Sequence, residues 1–270
     1  MKIEHFGCLL ISNSRSQAFI QKLIKESLIP EKIIYVDLQK QKKTTQVSQD
    51  PTISSAIQRA FRDRKYFLYS KSSQAVIPLH DKVSKKYASF DPEQSVIVTL
   101  KKAGIDYDTI QATSLNDTQV VEAVKRANLR YCIFSGGGIL KKEILSLGTK
   151  FIHIHPGYLP DVKGSMCIEW SILRQGKCGV TAFFMVEKID RGDIIARKYF
   201  DIPELEHNSV PALYSPHIRS ELLIEIMKEY VGKKEFHTTP QKAEQGEFYY
   251  KMHPAIHNIV FFESEKFYRN

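Results

Sequence analysis

Phe151-Ile152-His153-Ile154-His155-Pro156-Gly157-Tyr158-Leu159-Pro160-Asp161-Val162-Lys163-Gly164 is the stretch whose reading decides the fold. It follows the polar turn Gly148-Thr149-Lys150, and the apolar, β-prone Phe151, Ile152 and Ile154 read as a buried strand. His153 and His155 stand two apart, so an extended chain projects both rings from one face. Pro156 has no N–H for a ladder and biases His155 towards an extended conformation, so the strand stops there. Gly157 and Pro160 shape the loop beyond it. Two imidazoles on one strand face before a rigid turn admit three readings. They are packed rings bonded to backbone carbonyls, metal ligands, or acid–base and oxyanion chemistry beside a carboxylate.

Moving back along the chain, Tyr131-Cys132-Ile133-Phe134 reads as a second buried strand, with a helix over 142–147 joining it to the histidine strand. Between them lies Ser135-Gly136-Gly137-Gly138-Ile139-Leu140, where glycines at a strand end let backbone approach a ligand, or make a plain turn. Nearer the N-terminus, the run Phe6 to Ile11 reads as a first strand. It opens into Ser12-Asn13-Ser14-Arg15-Ser16, then a helix ending near Pro30, then a strand from Ile33 to Val36. That loop carries neither G-x-G-x-x-G nor a P-loop, so nucleoside-triphosphate and dinucleotide binding have no support. Its Ser and Asn side chains suit an anion at a helix start, or N-capping alone.

A surface loop is expected over 39–50, a part-helix over 53–69, and residues 71–90 give no pattern. Asp91-Pro92 is expected to cap a helix running to Gly104, followed by a short strand at 109–111 and a helix capped by Ser114 to Asp117. Downstream, a helix over 166–175, strands over 180–186 and 194–202, and a helix through Ile218, Leu222, Ile226 and Met227 close the main domain near Tyr230. Strand and helix signals that alternate in this way predict an α/β fold, an open, mostly parallel twisted sheet with helices on both faces. The division expected is a catalytic domain over 1–231 and a small strand-rich C-terminal extension over 232–270, with Gly246 to Phe262 supplying one or two aromatic strands.

Hydrophobic residues make up 43% of the 270, enough for a large core, and no apolar run is long enough to cross a membrane. Four scattered cysteines with no C-x-x-C pair read as reduced packing residues, and the expected location is the cytoplasm. The formal net charge of +9 favours an anionic partner. Its lysines are dispersed rather than gathered into an arginine-rich stripe with aromatics, so neither a nucleic-acid nor a membrane partner is expected.

His155-Pro156, Leu159-Pro160, Gly164 and, 35 residues after His155, Asp190-Arg191-Gly192 together resemble the folate-dependent formyltransferases. That family includes glycinamide ribonucleotide, methionyl-tRNA and sugar-nucleotide formyltransferases. The resemblance extends in element order from Phe6 to Tyr230 and is densest from Tyr131 to Ile195. It implies formyl transfer from 10-formyltetrahydrofolate to a primary amine. His153, His155 and Asp190 are then the catalytic residues, with Asp190 orienting His155 and His155 turning its other ring nitrogen towards substrate. It also implies that the pterin lies against Gly137, Gly138, Ile139 and Leu140 and against Glu187, Lys188 and Ile189, with no bound metal. His153 stands where the family carries asparagine, and a neutral imidazole still has one N–H to give. Methionyl-tRNA members add a sizeable C-terminal domain, for which the 40 residues after Tyr230 are too few. The acceptor expected is therefore a phosphorylated small-molecule amine, the amino group of a nucleotide-linked sugar, and a homodimer is compatible with the reading. Two other classes stay open: a metal-dependent amide hydrolase using His153, His155 and Asp190, and a catalytically silent ligand-binding homologue.

Overall fold

The computed structural model describes residues 2–39, 89–202, 213–242 and 244–262. The part-helix expected over 53–69 and nearly all of the segments over 39–50 and 71–90 lie outside the described residues. Seven strands form one sheet in the order β3-β2-β1-β4-β5-β7-β8. These are β1 (Lys2–Ile11), β2 (Ile29–Leu38), β3 (Asp108–Ala112), β4 (Tyr131–Phe134), β5 (Lys150–His155), β7 (Cys178–Phe184) and β8 (Ile194–Phe200). Pairing is parallel from β3 through β5 and antiparallel from β5 to β7 and β7 to β8. The expected open, mostly parallel α/β sheet is what forms, with Tyr131↔Lys150 to Phe134↔His153 setting β4 beside β5.

Alternation along each strand divides the core. Cys8, Leu10, Ile33, Tyr35, Ile152 and Ile154 face one side. There they meet α1 (Ser14–Lys25), α2 (Val96–Lys102), α5 (Cys167–Gln175) and the long α6 (Ser215–Lys233). Leu9, Ile34, Val36, Cys132, Phe134 and Phe151 face the other side, under α3 (Thr118–Ala127) and α4 (Lys142–Leu145). Fully burying an aliphatic or aromatic side chain contributes roughly 1.5–3 kcal/mol, so this two-sided packing defines the register. Chain order reverses between β1 and β4, the topological switch point of such a sheet, where ligands bind outside the carboxyl ends of the strands.

Several boundaries differ from expectation. Pro30 does not follow α1 directly but enters β2 at its second residue, where a missing N–H is tolerated near a strand start. Ser95, not Asp91, caps α2, accepting from Val98 N at 3.3 Å, whereas the Asp91 carboxylate accepts from Glu93 N and its backbone N–H donates to Gln21 of α1. Asp117 precedes α3, but its carboxylate turns back to Thr113 and Ser114 instead of the helix N–H groups. Among the described residues the C-terminal extension is not strand-rich. It holds one strand, β9 (Glu247–Tyr249), paired in parallel with β6 (Val162–Gly164), and then a helix, α7 (Pro254–Phe262). Proline at the first helical position starts α7, and the buried Met252 and Val260 belong to the core of the first sheet face.

Candidate active site

His153 and His155 project from β5 onto one sheet face, opposite Phe183 and Thr181 of β7 respectively. The His153 ring lies between Phe134 and Phe183, at centroid distances of 6.0 and 5.8 Å, and is half-buried. Its Nδ1 is 3.4 Å from the Phe134 carbonyl, at the long end of any hydrogen bond. Burial, then the positive Arg219 and Arg15, hold its pKa well below the ordinary 6.5, so the ring is neutral near pH 7.

His155 is 2% exposed. Its Nε2 lies 3.0 Å from the Val162 carbonyl and its Nδ1 3.6 Å from Asp190 Oδ1. The second ring nitrogen is thus taken by backbone and does not point at an open substrate position. A carbonyl only accepts, so Nε2 carries the hydrogen, and the Nδ1 lone pair of the neutral ring faces the Asp190 carboxylate. Burial lowers the His155 pKa, and Asp190 and the Val162 carbonyl pull it back up. Two acceptors facing each other in this way can take up one proton between them.

Asp190 is held firmly. Its Oδ2 accepts from Gly164 N at 2.8 Å, and its own backbone takes φ 54°, a left-handed conformation that aspartate tolerates better than most residues. Gln241, beyond α6, donates through Nε2 to the carbonyls of Asp190 (3.2 Å) and Gly192 (2.7 Å). A side chain at Gly192 would begin 1.6 Å from the Phe184 carbonyl, so the Asp-Arg-Gly turn closes only with glycine there. The loop after β5, which contains a cis Leu159–Pro160 peptide, is clamped by Thr181. That hydroxyl accepts from Leu159 N at 2.9 Å and donates to Gly157 O at 2.8 Å. A Cβ at Gly157 would stand 2.7 Å from His155 Nε2, so glycine leaves room for the ring.

Beside His153 a cleft is lined by Gly138, Ile139 and Leu140 on one side and Glu187, Ile189 and Asp190 on the other, over Phe134, Phe183 and Met185. Ile139, Val186 and Ile189 are 60%, 46% and 44% exposed, and apolar surface of this kind around a cleft marks a binding site. Gly137 and Lys188 are not among its lining residues; Gly137 instead faces Arg15, whose Nη2 would lie 3.9 Å from a Cβ there. Asn116, read in sequence only as part of a helix start, anchors this loop by donating to Ile139 O and accepting from Lys141 N. Among the described residues no cluster of three or more His, Cys, Asp or Glu side chains is arranged to hold a metal ion. His153, His155 and Asp190 therefore do not form a chelating set.

Sequence reading missed Arg15, Arg219 and Gln241. Arg219 projects from α6, is 5% exposed, and donates from Nε to the Ile154 carbonyl at 2.5 Å, between the two histidines of β5. Gln241 lies in a polar stretch without periodicity, and Arg219 in an ordinary amphipathic helix, so neither position carried a local signal.

The 3-2-1-4-5 strand order defines a doubly wound α/β protein, with a buried His–Asp pair at the carboxyl end of β5 near the switch point. The formyl transferase family model matches residues 14–217, three quarters of the chain, and the chain belongs to that family, as its motifs implied. A methionyl-tRNA formyltransferase of Campylobacter fetus is 29% identical over 150 residues, 55% of this chain and 48% of the relative. One from Bacillus subtilis is 40% identical over 74 residues, 26% of this chain and 23% of the relative. The chain thus matches no more than about half the length of these relatives. Among solved structures, a 4-N formyltransferase from Francisella tularensis aligns over 97% of this chain and 88% of its own, with TM-score 0.52 and 14% identity. A sugar N-formyltransferase from a Shewanella species aligns over 96% and 87%, with TM-score 0.51 and 13% identity. At these identities the likeness concerns the fold. No helix among the described residues is long and apolar enough to cross a membrane.

Proposed function

We propose that this protein transfers a formyl group from 10-formyltetrahydrofolate to a primary amine, the amino group of a nucleotide-linked sugar. The observation that carries the reading is the buried pair of His155 Nδ1 and Asp190 Oδ1, 3.6 Å apart, beside the apolar cleft that His153 helps to line. The reading places a flat heteroaromatic donor in this cleft. Backbone of Gly138 to Leu140 and of Glu187 to Ile189 would offer hydrogen-bonding groups, with Ile139, Val186 and Ile189 packing on the ring. Bound there, the donor supplies an activated formyl carbon.

The chain's own residues handle charge and proton. As the amine adds to the formyl carbon, negative charge grows on the formyl oxygen, and a preorganised donor aimed at it is worth about 3–4 kcal/mol. His153 supplies that donor in its Nε2–H tautomer, relinquishing the weak 3.4 Å contact to Phe134 O. His155 Nδ1 and Asp190 receive the proton that the amine loses, directly or through a water. The carboxylate stabilises the imidazolium that results, as its opposition to the burial effect on His155 requires. The same proton is returned to the nitrogen that leaves the formyl carbon, so the pair ends as it began.

Two observations favour the sugar acceptor. A solved sugar N-formyltransferase from a Shewanella species aligns over 96% of this chain. The C-terminal segment also forms part of the site, through Gln241 on the Asp190 turn and β9 on β6. A methionyl-tRNA acceptor is the second reading, favoured by the names of the sequence relatives. The deciding experiment offers the purified protein 10-formyltetrahydrofolate with a panel of nucleotide-linked amino sugars and, separately, charged initiator methionyl-tRNA, following tetrahydrofolate release. Release with an amino sugar supports the proposal and release only with tRNA replaces its acceptor. No release with any amine refutes formyl transfer.

A further inference from the structure

We propose that Lys163 is a positioning residue for the His155–Asp190 pair, locking the strand that holds both members to the C-terminal segment. Its benefit to catalysis rests on the formyl-transfer reading, whereas the lock stands on its own geometry. β6 is three residues long, and its two ends grip the pair by backbone alone. The Val162 carbonyl lies 3.0 Å from His155 Nε2, and Gly164 N donates to Asp190 Oδ2 at 2.8 Å. A shift of β6 therefore disturbs both groups, and whatever fixes β6 helps to fix the 3.6 Å between His155 Nδ1 and Asp190 Oδ1.

Lys163 stands between those two contacts, and its side chain reaches away from them to the C-terminal segment. Its Nζ donates to the Gln245 carbonyl, 82 residues further on. Backbone bonds flank that contact: Glu247 N donates to Asp161 O at 3.0 Å and Ser165 N to Tyr249 O at 2.9 Å. The two strands lie so close that a Cβ at Gly164, whose φ is 98°, would stand 2.1 Å from the Tyr249 carbonyl. Trp170 ties the far end, donating from Nε1 to Tyr250 O at 2.9 Å and stacking on Tyr249 at 4.7 Å. A parallel ladder of three residues is short, and the lysine adds a charge-assisted bond to it.

The residue type makes the case for function. Lys163 is 0% exposed, the most enclosed charged side chain among the described residues. Burial, then Arg191, lowers its pKa, while Asp190 and Asp161 oppose the fall, so the ammonium sits within the field of the Asp190 carboxylate. An ammonium has three N–H donors, and among the described residues one carbonyl accepts from it. Enclosing such a charge is costly, and well-packed apolar side chains of similar volume are often as stable or more so. Gln245 is exposed, so water can serve its carbonyl when the lysine is absent. Stability therefore does not account for a lysine here, and its place between the two contacts of the pair does.

The test compares the full chain as parent, K163M and K163R by two readouts. The first is the hydrogen exchange of His155 Nε2–H, followed by nuclear magnetic resonance on isotope-labelled histidine and assigned by its absence from His155→Ala. The second is kcat and KM for tetrahydrofolate release with the acceptor that the amine panel identifies. In the parent this proton should exchange slowly, because His155 is 2% exposed and bonded to Val162. K163M should exchange it about tenfold faster and lose about ten- to hundred-fold in kcat with KM less changed, the cost of a misplaced catalytic group. K163R keeps a charged donor for Gln245 O and should recover part of both. An unchanged exchange rate in K163M, or a kcat within about twofold of the parent, overturns the proposal and leaves formyl transfer standing. A lower melting temperature with both readouts unchanged assigns Lys163 to stability alone and overturns it as well. Should K163M fail to fold by circular dichroism, K163Q replaces it under the same criteria, and failure of both to fold refutes a positioning role. Were the parent to release no tetrahydrofolate with any amine, formyl transfer would fall, and the exchange readout alone would decide the lock.

Discussion

Replacing His153 with leucine removes a single donor and little else, which makes it the sharpest test of the proposed chemistry. The ring is wedged between Phe134 and Phe183, at 6.0 and 5.8 Å, and a leucine can occupy much of that apolar space. Among the described residues the only hydrogen bond forfeited is the 3.4 Å contact to Phe134 O, so the stability cost should stay within about 1 kcal/mol. Catalysis should suffer far more. Loss of one preorganised oxyanion donor costs roughly 2.7–4 kcal/mol, or about 10²–10³ in kcat. Asparagine also offers an N–H from the same strand position, so His153→Asn should retain measurable turnover. The assay is steady-state tetrahydrofolate release at saturating donor, with thermal melting as the control for folding. If the leucine variant turned over nearly as fast as the parent, His153 would be a packing residue, and the oxyanion would be held elsewhere.

Asp190→Asn and His155→Ala should each abolish most turnover, and the double variant should be hardly worse than either, because the pair handles one proton; multiplying effects in the cycle would separate their roles. Gln241→Ala removes both hydrogen bonds that pin the Asp190–Gly192 turn, and small misplacements of a catalytic group cost up to about 10²-fold. Its kcat should fall with KM less changed and the acid limb of the pH profile displaced, whereas an unaltered kcat would show that Gly164 alone positions Asp190. His153 and His155 have folded-state pKa values below their ordinary 6.5, so between those values the unfolded chain binds more protons. Stability is then fully present above about pH 6.5 and is lost as the pH falls towards the folded values. Thermal melts at pH 7.5 and 5.5 should show this drop, His153→Asn should reduce it, and a melting temperature indifferent to pH would contradict two neutral buried rings. Dialysis against a chelator should leave formyl transfer intact; loss of activity restored by zinc would favour the hydrolase reading.

Much of the sheet was legible because each strand carries its own hydrophobic signature. Tyr131–Phe134 is buried throughout and forms β4 with the bounds read from sequence, and Pro156 does end β5 after His155. Those signals are local, since alternation, turn residues and proline act within a few positions. The C-terminal segment misled for the same reason. Its aromatic and β-branched residues at 254–262 satisfy strand propensity, yet a helix forms there and its Val260 joins the core.

What the sequence determined by itself was the α/β class, the strand bearing both histidines, and the motif spacing that joins His155 to Asp190. These rest on periodicity and on residue types whose chemistry is fixed wherever they stand. Tertiary structure alone decided which ring nitrogen faces which acceptor. It brought Gln241 from beyond α6 onto the Asp190 turn and left one donor each on Arg15 of α1 and Arg219 of α6 unsatisfied. The physical reason is that hydrogen bonding and desolvation depend on distances of a few ångströms between residues as far apart in sequence as Asp190 and Gln241. No periodicity along a chain encodes such distances, and only the closed packing of sheet and helices sets them.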